Sequence, residues 1–268
     1  MTARIILITA IQDAADELER RGIKQVDFKR RDKREPNRRE KEAAEDALML
    51  FMRRYFNRQT EQIKKRLSMV IKQAPNVDDI FEADADELAE LSRLLSKNVR
   101  NGISLFGQST PVDIDYTLTN QEAAKWAQNY AGKLIKEVDA VSLRAVQAAV
   151  QMFVETPGFT LGDLVDLLPY SEQRALMIAV TEVTNSYKQG QILAGQELKE
   201  QFPDVRVIKT WFTNADDRVC DLCGKLDGKT INLEDTFYEP ENEYQDGNPP
   251  YHVNCRCWIE TSTALADV

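Results

Sequence analysis

Apolar residues return at three- and four-residue steps from Ala43 to Ile71: Ala47, Leu48, Phe51, Met52, Tyr55, Phe56, Ile63, Leu67 and Val70. Side chains three and four apart share one face of a helix, so this spacing predicts a long amphipathic helix. Its stripe has to be buried against other helices or another chain. A short helix is expected ahead of it over 10–24, ending near Gly22. Pro75 breaks the pattern, and a further helix is predicted from Ala85 to Val99, with Leu88, Leu91 and Leu95 inward and Asn101-Gly102 as its stop. Gly107 to Tyr116 reads as a loop. Thr119 or Asn120 then caps a helix carrying Ala123, Trp126, Ala127, Tyr130 and Leu134. Another helix is expected from Ala140 to Phe153, before Pro157-Gly158. Thr160 caps a short helix, Leu161 to Leu168, closed by Pro169. Ser171 caps a longer one, from Glu172 to about Glu197, with Leu176, Ala179, Val180, Val183, Tyr187, Gly190 and Ala194 on one face. Glu182 falls on the flank of that face, where a carboxylate is ordinarily solvated; the alternative is a buried anchor.

After Phe202-Pro203 the period changes from near four to two. Val205 and Val207 alternate with Arg206 and Ile208, and Trp211-Phe212 follows, which predicts a strand. Asp227-Gly228 is a hairpin signal leading into Thr230 to Leu233. A polar loop covers 234–250, and Cys255 to Thr261 reads as the last strand. The expected fold is α+β: a mostly helical N-terminal and central region, then a small C-terminal β module packed on the helix that starts at Glu172. Two regions follow: residues 1–120, helical with a basic stretch, and residues 121–268, with helices over 120–200 and a small sheet over 205–261. So small a sheet is not stable alone, which is a physical reason for a staple.

The 268 residues allow one large or two small domains. No apolar run is long enough to span a membrane. Ile5 to Ile8 is too short for a signal core and is followed by acids and arginines, so folding in a reducing compartment is expected. The net charge of −9 is unevenly placed: residues 1–75 hold 19 basic and 12 acidic residues, and the remainder holds 16 and 32. Lys29, Arg30, Arg31, Lys33, Arg34, Arg38 and Arg39 form the densest basic run. It reads either as a solvated linker or helix face, or as a contact for nucleic acid or an acidic partner. Phe28 is its single aromatic, which argues against sequence-specific DNA reading.

All 4 cysteines and the single histidine lie between Cys220 and Cys257. They form Cys220-Asp-Leu-Cys223 and His252-Val-Asn-Cys255-Arg-Cys257. Structural zinc takes four nitrogen or sulfur ligands in a tetrahedron, commonly as two close pairs from two chain segments. Strand alternation would turn Cys255 and Cys257 to one face, giving an all-cysteine site. His252 with one of those two cysteines is equally buildable, so five candidates compete for four places. Two disulfides or free buried thiols are the other readings. Asp217 and Arg218, beside the first pair, are candidate braces for the ligand loop. Asn254 and Arg256 lie on the face opposite the sulfurs, placed to cap loops or to pair with Glu182.

The order of these residues resembles the Mu F-like minor head protein family, also called the phage head morphogenesis domain. The resemblance rests on Arg174-Ala175, Thr181-Glu182, Trp211, Asp217-x-x-Cys220-x-x-Cys223 with Arg218, Leu226-Asp227-Gly228, and Pro249-Pro250-Tyr251-His252-Val253-Asn254-Cys255-Arg256-Cys257. It covers roughly residues 135–260, and its last third carries most of its specificity. Val180 stands where an arginine commonly precedes the Thr-Glu pair. The resemblance implies a virion component in few copies at the portal, made in the host cytoplasm and acting in head assembly or in DNA packaging or ejection. Its partners would be the portal protein and other head proteins, with phage DNA as a further contact through the basic stretch. One structural zinc ion and no catalytic residues are expected. Two rival classes remain. A metal-dependent nuclease or transferase would have to draw its base from Asp216, Asp217 or Glu182. A zinc-stapled DNA-binding protein would use the basic stretch, although the cysteine-rich module is acidic.

Overall fold

The computed structural model describes residues 31–69, 78–81, 83–110, 115–214, 216, 219–238, 247–251 and 255–264. The expected helix over 10–24, and Lys29, Arg30, Asp217, Arg218, His252 and Asn254, lie outside the described residues. Within them the chain forms α1 (Arg38–Met69), a 3-10 turn (Asp78–Phe81), α2 (Ala85–Ser109), α3 (Thr117–Glu155), α4 (Leu161–Asp166), α5 (Glu172–Gln201), β1 (Arg206–Phe212), α6 (Asp221–Gly224), β2 (Thr230–Asn232) and β3 (Trp258–Ala264). The fold is α+β.

The apolar stripe of α1 is buried as its spacing requires. Leu48, Phe51, Met52, Tyr55 and Phe56 enter one cluster with Leu91 and Leu95 of α2, Leu134 and Val138 of α3, and Ala179 and Val183 of α5. The helices before residue 120 therefore share a core with those after it. Caps fix several helix starts. Asp84 accepts from the Glu87 amide and Glu87 returns the bond to the Asp84 amide, closing a capping box on α2. Thr160 and Asp163 do the same for α4, and Ser171 accepts from the Arg174 amide at the start of α5.

Several helix ends shift by a few residues, and two helices differ from expectation by more. Asn101-Gly102 does not end α2, which runs on to Ser109. The reason is a helix crossing: a Cβ on Gly102 would meet the Tyr187 carbonyl oxygen at 2.2 Å, and one on Gly190 would meet the Val99 carbonyl oxygen at 2.0 Å. The two glycines let the α2 and α5 backbones touch. The second difference is α3, one helix of 39 residues where two were expected. The charged residues Lys136, Glu137 and Asp139 do not interrupt it, and Asp139 is buried and bound. Tyr55 Oη donates to its two oxygens at 2.9 and 2.7 Å, and Gln59 Nε2 donates at 2.9 Å.

The sheet has the order β2-β1-β3, with β1 antiparallel to both neighbours. The last strand starts at Trp258 rather than Cys255 and pairs from Phe212↔Trp258 to Arg206↔Ala264. It is seated on α5 through Gln191, which donates to the Ile259 carbonyl at 3.0 Å and accepts from the Thr261 amide at 3.2 Å. Gly195 of α5 gives room to Leu233 and Val207, since a Cβ there would lie 2.8 Å from Leu233 Cδ2.

Candidate metal centre

The turn after β1 positions the first cysteine pair. Cys220 precedes the one-turn helix α6, and its Sγ accepts from the Cys223 amide at 3.4 Å. The chain then returns through Gly228, whose φ of 76° is open to glycine at little cost. The second pair comes from the segment leading into β3. Cys223, Cys255 and Cys257 are buried, and their three sulfurs lie within 4.8 Å of one another. In tetrahedral zinc–thiolate geometry sulfurs stand about 3.8 Å apart, from a Zn–S bond of about 2.3 Å. The donor set fits a soft divalent ion, and Cys220 stands beside Cys223 as a fourth sulfur. All four cysteines are free rather than disulfide-bonded.

Without an ion the cluster favours neutral thiols. A hydrogen bond with Cys255, together with burial, pushes the Cys223 thiol above its usual range; hydrogen bonds with Cys223 and Cys255, and burial, push Cys257 up likewise. Three packed, dry thiols resist becoming thiolates unless a cation shares the site. The surroundings are apolar: Trp211, Leu226, Phe237 and Ile259 surround the cysteines in one cluster. Trp211 meets Phe237 edge-on with ring centroids 5.2 Å apart.

Around this centre the candidate braces separate. Arg256, 5% exposed, pairs with Asp216 at 2.6 Å and so ties the segment holding Cys255 and Cys257 to the one that leads into Cys220. Asp227 accepts from the Thr213 amide at 2.7 Å, closing the base of the loop. Glu182 is not a solvated flank residue: it is buried and accepts from Tyr130 Oη of α3 at 2.7 Å. Its neighbour Thr181 is buried too and donates to the Met177 carbonyl. Helix α5 is enclosed on nearly every side, so a single apolar face understated it.

The basic stretch also divides. Arg31 is 3% exposed and does not face solvent. Its guanidinium reaches Glu35 at 2.6 Å, Glu45 at 2.6 Å and Thr184 Oγ1 of α5 at 2.9 Å. Burial works against its charge, but the two carboxylates raise its pKa. Lys41 joins at 2.8 Å from Glu35 and lies over the Tyr187 ring, while burial pulls its pKa down. Arg31 is thereby withdrawn from the residues placed to meet phosphate. Lys33 and Arg39 are exposed, Arg38 is half-buried beside Glu42, and Arg34 pairs with Asp32 at 2.9 Å.

Arg174 stands out in the sequence only as part of a motif. It is the most deeply enclosed arginine among the described residues, 0% exposed. It donates to Ser142 Oγ at 3.0 Å and to the Pro169 carbonyl at 2.7 Å, and stacks over Phe56. Its signal was position: an arginine in the first turn of a helix, three residues after the cap, pointing back at the preceding loop.

A helical body with a small antiparallel sheet closed by clustered cysteines is thus the class that the fold and site define. The sequence model of the family described as Phage Mu protein F like protein matches residues 121–260. The chain belongs to that family, whose members are phage head proteins. Neither the curated proteins nor the solved structures give a significant match. No helix among the described residues is long and apolar enough to cross a membrane.

Proposed function

We propose that this protein is a minor head protein of a tailed phage that sits near the portal. There it contacts the portal protein and other head proteins and acts in head morphogenesis or in DNA packaging or ejection. The observation that carries this reading is the family match over 121–260, which takes in α5, β1, β2, the start of β3 and the whole cysteine cluster. The buried charges support a part built for assembly, because Arg31, Glu35, Lys41, Glu45 and Arg174 are spent on joining helices.

Zinc is the ion proposed, one per chain, held by Cys223, Cys255 and Cys257 with either Cys220 or His252 completing four ligands. Bound there, it supplies the positive charge that lets buried thiolates share a dry site. Arg256 and Asp216 hold the two ligand segments together, and Asp217, Arg218 and Asn254 are assigned to bracing their loops. A chemical role would need an open position and a base; a thiolate-rich structural site is closed. Lys29, Arg30, Lys33, Arg38 and Arg39 are the residues proposed for DNA or an acidic partner surface. Such contacts weaken steeply with added salt.

The test is quantitative mass spectrometry and cross-linking of heads purified from infected cells, with elemental analysis of the isolated protein. Few copies per head, cross-links to the portal and about one zinc per chain are expected. Absence from heads overturns the head reading; zinc-free protein with all four thiols titratable overturns the metal assignment alone.

A further inference from the structure

Between α2 and α3 runs an open groove of about 630 Å³, lined by Leu88, Ala89, Ser92 and Ser96 on one helix and Ala124 and Gly132 on the other. Neighbouring helices usually fill such a space with larger side chains. Here small residues on both sides leave it empty. Three observations mark it as a seat. Gly132 lies mid-helix, where glycine is a poor choice, and a Cβ added there would meet nothing within 4 Å. Elsewhere this chain uses helical glycines for close backbone contact, as at Gly102 and Gly190. Ser96 is 7% exposed, lines the groove and has no hydrogen-bond partner among the described residues. Arg93 and Arg100 flank the groove, both exposed, and neither makes an ion pair among the described residues.

We infer that the groove receives a helix of another head protein, with small residues on its inner side and Asp or Glu facing Arg93 and Arg100. The 7-residue spacing of the arginines is two helical turns, which matches acids spaced alike on an antiparallel or parallel helix. Gly132 admits the close backbone approach, and Ser96 offers the incoming chain a hydroxyl. A nucleic acid is the poorer occupant because the floor is aliphatic and carries no stacking ring. That the partner is a head protein rests on the head-protein reading; that it is an acidic helix rests on the groove alone.

The experiment places a photo-crosslinking phenylalanine at Gln128, on the groove's edge, in the full chain expressed in infected cells. Cross-linked peptides are then identified by mass spectrometry. An acidic helical segment of another head protein is expected. Its yield should fall at least tenfold in Gly132→Leu and in the double variant Arg93→Glu, Arg100→Glu, with the circular dichroism of both unchanged and the Tm of neither lowered. Cross-links to nucleic acid, to residues 1–30 of the same chain or to a second copy would overturn the inference. So would no cross-link, or one that persists in the arginine variant, which leaves the groove floor intact. If the acidic helix is captured but the protein is absent from purified heads, the groove assignment holds and the head reading fails.

Discussion

The helical body and the C-terminal sheet solve the same problem in opposite ways. The body brings four helices into one apolar cluster, and adds buried ion pairs at its joints. The sheet has two strands of 7 residues and one of 3, with a core of Trp211, Leu226, Phe237, Ile259 and the cysteines themselves. A body with enough apolar surface can carry the cost of burying charge. A sheet too small for its own core needs a cross-link.

Removing the cross-link tests that contrast most severely. Chelation, or Cys257→Ser, should unfold the sheet while the helices persist: the near-ultraviolet signal of Trp211 collapses and ellipticity at 222 nm changes little. A structural zinc site contributes on the order of 10 kcal/mol, more than so small a module can lose. Loss of the helical signal in the same transition would show that body and sheet are one cooperative unit. A smaller effect is expected in the body. Arg31→Met leaves Glu35 and Glu45 buried beside Lys41 alone, and breaking a buried pair typically costs about 3–5 kcal/mol. Urea denaturation followed at 222 nm measures this, and a loss under about 1 kcal/mol would mean that the ion cluster is dispensable.

The smallest effect concerns Asp139, and its sign is opposite. Burial raises its pKa to about 6, against the lowering pull of Tyr55, Gln59, Arg58 and Arg174. A carboxyl with a raised folded pKa favours the native state most when protonated. Its contribution falls as pH rises from about 4 to 6 and stays low above that. Asp139→Asn keeps an acceptor for Tyr55 and can donate to the unpartnered Gln59 Oε1. It should stabilise the protein at pH 7.5 by roughly 1–2 kcal/mol relative to pH 4.5. Parallel stability–pH profiles for the two proteins would refute the assignment.

Periodicity made the helices legible, and the cysteine spacing made the centre legible, because both are local properties. What stayed hidden depended on distant partners. Gly102 looked like a helix stop because its reason for being glycine is the Tyr187 carbonyl on another helix. Asp139 showed no sign of being interior because Tyr55 and Gln59, which satisfy it, lie some 80 residues earlier. Arg31 looked like one of seven equivalent cations, and only tertiary structure gives it two carboxylates of its own. In the site, residue types and pairing were readable; that Arg256 would choose Asp216 was not.

The clasp around Arg31 has a consequence for synthesis. Arg31 bonds Thr184, 153 positions later, and the Asp32 amide donates to Asn214, 182 positions later. A ribosome releases the N-terminal end first, so the clasp cannot close until most of the chain has emerged. Until then Arg31, Glu35, Lys41 and Glu45 remain hydrated, and the entropy of closing so long a loop is still to be overcome. The segment around Arg31 is therefore made early and fastened late, through contacts of very high sequence separation.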